Sequence, residues 1–449
     1  MVCLTTTNQT TIYELRLAAQ KYYDIREEIK KAISDLNPVE LVTPINVKTE
    51  KEKWIRHAKQ NFFNNPHFKY DLMLLEKAIA KRHLLKQLLK KLESMEPDQS
   101  SIAEHFVWEQ LHIALCDGIG TTYLAEAIKK GDNDDIADAV AKKYGLPSED
   151  HIDFAFQLAR DNIVKNRLDY SVLRSAVIPK GDGLSEAKQK LGADFIKEMF
   201  DWTMQRYNIK PWPVIIDDKC TSIDVRDKSQ FGEPVVVIPT TRQVTGIKLA
   251  ELIGHEIECH WRSSANAESI GALKCDNELI YEGLAALKDK SFNRDYCGTF
   301  NLNSIYYMIA MDTAMSNESF AETAHAVYTI LPSSIEDREA KAWMYTYRVF
   351  RGISDTNNPS GYAFTKDRAY FEGWLYAKDL EAAGKASYLS FSTLGQRSFE
   401  RLMEIIDIDD LEKNVSLDCN LQEKAIDIIS QKVLSVGSQA EGLIEMAVV

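Results

Sequence analysis

The residues best suited to chemistry lie between positions 255 and 260, where the sequence reads HEIECH. His255 and His260 offer imidazole nitrogens, which zinc prefers as ligands in hydrolytic sites. Zinc makes a bound water acidic near neutral pH, and a nearby carboxylate such as that of Glu256 can then take the proton. The segment therefore predicts a zinc-dependent hydrolase with Glu256 as the general base.

The two histidines are spaced one residue wider than in the common zinc motif HExxH. In a regular helix, positions i and i+5 lie about 140° apart around the axis, so the two imidazoles would not converge on one ion. A π-bulge would absorb the extra residue, and a helix end before His260 would also bring the rings together. We therefore predict one of these two distortions between Glu256 and His260.

Cys259 is the alternative to His260, because it lies four residues after His255. A thiolate binds zinc well, but it leaves the metal less Lewis-acidic for hydrolysis, so the chemistry favours His260. A competing interpretation of the whole segment is a surface helix with two incidental histidines. Apolar neighbours argue against it, since a buried polar pair is costly without a role; these neighbours are Leu249, Leu252, Ile253 and Ile257.

The third zinc ligand must come from another element, and Glu282 is the preferred candidate. It lies in a predicted helix over 277–290, which could pack antiparallel to the histidine helix and return a carboxylate to the metal. Gly283 and Ala285 are small enough to allow close approach of these two helices. Glu278, one turn earlier, is the competing ligand, and spacing alone separates the two only slightly.

Apolar residues at helical spacing predict that the chain is mainly helical up to about residue 175. The patterns cover 70–96, 102–129, 134–143 and 150–166. A cluster of helix-breaking residues at 179–183 marks a boundary. We therefore expect a helical N-terminal region, a catalytic domain and a helical C-terminal tail, over 1–178, 179–400 and 401–449.

Two short β-branched runs, 214–216 and 235–238, predict a small sheet beside the metal helix. That helix should begin near Thr245, a suitable N-cap, and others are expected over 184–207, 300–330 and 366–382. The predicted fold class is mainly α with a small β-sheet (α+β), with a zinc-peptidase-like catalytic domain and a helical N-terminal region. In many zinc peptidases a strand such as 235–238 pairs with extended substrate, which favours a polypeptide.

Composition limits the partners of this 449-residue chain. Its net charge of −13 works against binding to nucleic acid or to an anionic membrane surface. It has no run of about 18 apolar residues, so we expect no transmembrane helix. Seven scattered cysteines without a C-x-x-C pair, and a start without a secretory pattern, predict a cytoplasmic protein with reduced thiols.

The motif HExxxH at 255–260 is followed by YEGLA at 281–285. Together they resemble a bacterial and eukaryotic family named for its QEGLA motif, whose animal members include the microtubule-associated tyrosine carboxypeptidases. Tyr281 stands where the family motif has Gln. Further blocks extend the resemblance over roughly residues 60–385, namely NPHFKY at 65–70, RVFRG at 348–352, and FTKD at 364–367 followed by Tyr370 and Gly373.

The resemblance implies a zinc metallopeptidase with one zinc per chain, held by His255, His260 and Glu282, and with Glu256 as the general base. The animal branch removes the C-terminal tyrosine of α-tubulin, an activity that does not carry over to a divergent member. An acidic chain is also no obvious match for an acidic tubulin tail unless it has a local basic groove. We expect a metallocarboxypeptidase whose substrate is a polypeptide, with a protein C-terminus as the candidate.

A carboxypeptidase needs a cation for the terminal carboxylate of its substrate, ideally a bidentate arginine. Arg348, Arg351 and Lys366 are the candidates, because two of the family blocks meet there. Tyr370 and His325 are the candidates for stabilising the oxyanion. The alternative for each cation is a surface or helix-capping role, and for His325 it is an ordinary place in a helix.

Two other functions fit the same residues. The first is a non-catalytic interaction protein with a structural or relic zinc site, in which the N-terminal helices carry the binding. The second is a zinc hydrolase that acts on a non-peptide amide. A Glu256→Gln variant separates catalysis from the first alternative, and a substrate screen separates the second.

Overall fold

The computed structural model describes residues 10–169, 190–207, 209–226, 234–273, 279–296, 302–333, 335, 337–414 and 428–429. Helices make up 67% of the structure, and the strands form only small sheets. The predicted fold class, mainly α with a small β-sheet, is confirmed. The predicted boundary at 179–183 lies outside the described residues, so the division into three parts stays a prediction.

The N-terminal part consists of helices joined by short turns. Side-chain N-caps begin five of these helices, α1, α3, α5, α7 and α8, as where Asp71 accepts hydrogen bonds from the amides of Met73 and Leu74. The helix predicted over 70–96 is divided at Lys81. The helices are α1 Ile12–Lys21, α2 Tyr23–Ile33, α3 Pro38–Leu41, α4 Val47–Ala58, α5 Leu72–Ala80, α6 Arg82–Glu93, α7 Ile102–Lys130, α8 Asn133–Tyr144 and α9 Glu149–Asp169.

The second part begins with short strands around a helix and leads into the histidine segment. Its first elements are β1 Leu191–Gly192, α10 Ala193–Met204, β2 Val214–Asp217, β3 Asp224–Arg226, β4 Val235–Pro239, β5 Gln243–Val244 and α11 Gly246–Leu252. A π-helix, Ile253–Trp261, continues α11 and passes directly into α12, Arg262–Ser269. We call Ile253–Trp261 the π segment.

Helices again dominate the rest of the chain. They are α13 Leu279–Tyr296, α14 Leu302–Met315, α15 Phe320–Ile330, α16 Arg338–Val349, α17 Ala369–Ala382, α18 Gln396–Ile405 and α19 Ile408–Asn414. Short 3-10 turns at Thr365–Arg368 and Ala386–Phe391 precede α17 and α18. Beyond α19, the closing helices predicted for the tail fall outside the described residues, except at 428–429.

The three-stranded sheet has the order β2-β4-β3, with β4 parallel to β2 and antiparallel to β3. All five residues of β4 are buried, as expected for a central strand. The expectation that the strand 235–238 pairs with an extended substrate is wrong, because both of its edges already carry a strand. The edges of this sheet are β2 and β3.

The π segment lies between two hydrophobic cores. One core packs the sheet against α10 and includes Ile257 and Trp261 on the π segment. The other joins the N-terminal helices to α13–α19 and includes Cys259. Burial on both sides fixes the rotation of the segment, because each face has its own apolar partners.

Among the helices that the structure describes, none has the length and apolar character needed to cross a membrane.

Candidate metal centre

The π segment brings the two histidines into register. Thr245 caps the start of α11 by accepting a hydrogen bond from the amide of Lys248 at 3.3 Å, which confirms the predicted N-cap. Hydrogen bonds from i to i+5 then align residues five apart. The rings of His255 and His260 have centroids 4.6 Å apart and planes at 90°. The predicted π-helical distortion between Glu256 and His260 is therefore confirmed.

Glu282 on α13 completes a group with the two histidines. One ligand atom from each of His255, His260 and Glu282 lies within 4.8 Å of the other two. Atoms bound about 2.0–2.2 Å from one zinc ion lie about 3.4 Å apart at the tetrahedral angle, so small side-chain rotations close the difference. Two imidazoles and a carboxylate are also a donor set that zinc accepts in catalytic sites. The three groups fit a zinc ion.

A close contact between two glycines fixes the position of α13, the helix that carries Glu282. A Cβ on Gly283 would lie 2.0 Å from the carbonyl carbon of Gly373 on α17, and a Cβ on Gly373 would lie 1.8 Å from the carbonyl oxygen of Leu279. Only two glycines allow the backbones of α13 and α17 to cross this closely. The sequence predicted that Gly283 allows close approach to the histidine helix; that partner was wrong, because Gly283 faces α17 instead.

Tyr281 stacks on one of the histidines. Its ring centroid lies 3.9 Å from that of His260, with the two planes at 25°, and both residues are buried. A stacked ring restricts rotation of the imidazole about its side-chain bonds. The sequence showed Tyr281 only as a departure from the family motif and did not predict this contact. Its position directly before the predicted ligand Glu282 was the one indication that it lies near the site.

The competing ligands differ in where they lie. Cys259 is completely buried and belongs to the helical core. Glu258, which was not among the predicted ligands, lies near Tyr207, where its charge adds to the effect of burial in raising the pKa of the phenol. Glu278 lies outside the described residues. Within the described chain, the one group of three or more His, Cys, Asp or Glu side chains close enough to share a metal contains neither Cys259 nor Glu258.

Glu256 directly follows His255 on the π segment and is partly exposed. A general base needs access to water as well as a place near the reacting group. Partial exposure beside His255 gives Glu256 that access to water.

Arg348 and Tyr370 lie together beside Tyr307. Arg348 donates hydrogen bonds to the carboxylate of Asp367 at 2.6 Å and to the hydroxyl of Tyr307 at 2.9 Å. Its guanidinium carbon is 5.8 Å from the ring centroid of Tyr370. Asp367 is only 1% exposed, so Arg348 serves first as the counter-ion of a buried carboxylate.

The other predicted substrate residues are dispersed. Arg351 lies over the ring of Tyr347 at 5.0 Å. Lys366 lines a large cavity that also touches the N-terminal helices. His325 packs edge-on against Phe63, with ring centroids 5.0 Å apart, in an aromatic cluster.

A comparison with protein families identifies the family to which the chain belongs. A family model described as microtubule-associated tyrosine carboxypeptidase matches residues 58–402, more than three quarters of the chain. The chain belongs to this family. The match contains the π segment, Glu282, Gly373 and the cluster around Arg348, and it begins after α1–α3. Neither the curated proteins nor the solved structures that were compared with the chain gave a match.

Membership in the tyrosine carboxypeptidase family confirms the resemblance inferred from the HExxxH and YEGLA motifs. It implies a carboxypeptidase that acts on the C-termini of proteins. A polypeptide is thus the substrate class of this family.

Proposed function

We propose that this chain is a zinc-dependent carboxypeptidase that removes the C-terminal residue of a polypeptide. The observation that carries the proposal is the convergence of His255, His260 and Glu282 within 4.8 Å. Three protein ligands leave a fourth position of a tetrahedral ion open, which distinguishes a catalytic from a structural zinc site.

The proposal gives a role to each residue of the candidate site. Zinc held by the three side chains would supply Lewis acidity, which makes water acidic near neutral pH and polarises the scissile carbonyl. The carboxylate of Glu256 accepts the proton of the attacking water and passes it to the leaving amide nitrogen. Partial exposure of Glu256 supports this role.

Tyr370 is proposed to bind substrate, and the neighbouring Arg348 is proposed to assist it. Tyr370 lies one helical turn before Gly373, the residue of α17 that crosses α13 next to Glu282. Arg348 lies near the ring of Tyr370 and favours a polarised hydroxyl. Lys366, on the 3-10 turn before α17, is proposed as the cation for the terminal carboxylate; Arg351, over Tyr347, is the weaker alternative.

The decisive experiment measures metal content and peptide hydrolysis together. Purified protein is expected to bind about one zinc per chain by elemental analysis, and His255→Ala should lose it. Glu256→Gln should keep the zinc and lower kcat by at least about a hundredfold, because the proton acceptor is gone.

Glu251→Gln is the matched control, since Glu251 lies on α11 and pairs with Lys248. It should keep both zinc and activity. A protein that binds no zinc, or a Glu256→Gln variant as active as the wild type, would overturn the proposal. Retained zinc without any hydrolysis in the wild type would favour a non-catalytic protein with a structural metal.

A further inference from the structure

A second pair of metal-binding side chains lies on α7. His112 and Cys116 are four residues apart on this helix, so their side chains lie on one face, one turn from each other. The Sγ atom of Cys116 is 3.7 Å from the Nδ1 atom of His112. Neither residue belongs to the candidate metal centre formed by His255, His260 and Glu282.

The distance between these two atoms suits one shared ion. Zinc binds thiolate sulfur at about 2.3 Å and imidazole nitrogen at about 2.0–2.1 Å, which places the two ligand atoms about 3.6 Å apart at the tetrahedral angle. The observed separation of 3.7 Å is close to that value. The same contact also suits a weak hydrogen bond from the thiol to the imidazole nitrogen, and a metal ion would replace the proton of that bond.

The imidazole of His112 is oriented by its neighbours. Trp108, one turn earlier on α7, stacks on it with ring centroids 5.2 Å apart and planes at 27°. The indole N–H of Trp108 donates to the carbonyl of Leu92 at 3.0 Å, which holds the stacking ring in place. The Nε2 atom of His112 is 3.9 Å from the carboxylate of Glu93, at the end of α6. Metal-binding histidines commonly donate their second ring N–H to a carboxylate, and rotation of the exposed Glu93 side chain would complete that bond.

The charges around the thiol favour a cation. Partial burial raises the pKa of the Cys116 thiol, and the negative charges of Glu93 and Asp117 raise it further. Glu93 has the larger effect of the two carboxylates, and Asp117 is also paired with Lys143 at 2.6 Å. A bound metal ion reverses the effect, because a thiol that coordinates a metal loses its proton. The same carboxylates that disfavour a free thiolate therefore favour a metal ion beside it.

Both residues of the pair are open to solvent. Cys116 is exposed, and the side chain of His112 is 33% exposed. An ion from solution can therefore reach them, with water at its remaining positions. Because these two ligands are half of the four that hold a structural zinc, we expect a dissociation constant of about 1–100 µM.

We propose that His112 and Cys116 form a second, weaker binding site for a thiophilic divalent ion such as zinc, with Glu93 positioning the imidazole. Binding forms one bond to sulfur and one to nitrogen, and the thiol proton is released to solvent. The bound ion links the end of α6 to α7 through Glu93 and His112. Dialysis removes an ion held this weakly, so the tightly bound zinc stays at one per chain. This site does not depend on the proposed function.

The test adds cobalt to the full-length protein after zinc loading and dialysis. Cobalt bound to a thiolate gives a sulfur-to-metal charge-transfer band in the near ultraviolet, whereas the candidate metal centre is built from histidine and glutamate side chains. We expect a band that corresponds to one thiolate per chain. Cys116→Ser should abolish it, and His112→Gln should weaken cobalt binding at least about a hundredfold, because one of two ligands is lost. Glu93→Gln should weaken it about tenfold.

Three variants serve as controls and should keep the band. His105→Gln changes an exposed histidine of α7 that has no cysteine four residues later, and Cys220→Ser changes another cysteine that is not fully buried. His255→Ala removes a ligand of the candidate metal centre, so a retained band separates the two sites. A band that persists in Cys116→Ser, an unchanged affinity in His112→Gln, or no band at about 1 mM cobalt would overturn the proposal.

Discussion

Around the metal centre, backbones and rings touch directly: Gly283 lies against Gly373, and Tyr281 stacks on His260. Along the large cavity lined by Lys366 and the N-terminal helices, the wall instead includes charged side chains, with Lys30 reaching from α2 to Glu268 at 3.0 Å. Direct backbone contact leaves no freedom, because any added atom overlaps the facing helix. Long side chains can turn to suit a ligand. Packing therefore sets the geometry of the candidate metal site, whereas the cavity wall consists of side chains that can change conformation.

The largest expected effect is on stabilisation by zinc, which should depend on the metal centre and not on the cavity. Zinc at about 1,000 times its Kd should raise the free energy of unfolding by about 4 kcal/mol, because it binds only the folded site. His255→Ala should abolish the rise, and Arg26→Gln should leave it intact. Thermal or urea unfolding with and without zinc measures this. An equal rise in His255→Ala would mean that the metal binds elsewhere.

The second prediction concerns the glycine crossing. Gly283→Ala should destabilise the protein by about 3 kcal/mol, since its Cβ would lie 2.0 Å from a carbonyl carbon of α17. Gly120→Ala is the matched control, because Gly120 lies within α7 and a Cβ there meets nothing within 4 Å. That substitution should stabilise by about 0.5–1 kcal/mol. Urea denaturation compares them, and equal behaviour would show that the crossing is not a close contact.

A third prediction compares the two arginines. Arg348→Gln should cost about 2 kcal/mol, because it leaves the buried carboxylate of Asp367 without its cation. Arg26→Gln should change stability by less than about 1 kcal/mol, since Arg26 makes no side-chain hydrogen bond in the described structure. The free energies of unfolding test both. A larger loss at Arg26 than at Arg348 would reverse the comparison.

The smallest effect concerns the stacked ring. Tyr281→Leu should weaken zinc binding about two- to tenfold, because His260 loses the ring that restrains it. Tyr281→Phe keeps the ring and should keep the affinity. Competition with a chelator dye gives both dissociation constants. If Phe and Leu weaken binding equally, the hydroxyl rather than the stacking matters.

Local geometry was predictable from the sequence, and partners across space were not. The spacing of His255 and His260 required a distorted helix, because regular helix geometry cannot bring positions five apart together. The N-cap at Thr245 followed from the same local reasoning. The residue that Gly283 faces could not be deduced, since spacing along one helix does not say which other helix crosses it.

The substrate residues illustrate the same limit. Arg348 and Lys366 belong to family blocks that meet in the sequence, but one is held by Asp367 and the other lines the cavity. A pattern of residue types gives the chemistry that each can do. Which contacts a charged side chain makes depends on its tertiary neighbours, as the pairing of Arg348 with Asp367 shows.

The π segment also sets the rotation of α12 relative to the two histidines. Each residue of an α-helix turns the chain by about 100° and advances it by about 1.5 Å. Deleting one residue between His255 and His260 would leave an ordinary HExxH helix, but it would rotate α12 by that angle. Ser264 and Glu268 would then swing off the cavity wall. The extra residue thus sets the rotation between the turn that carries the two histidines and the turn that lines the cavity.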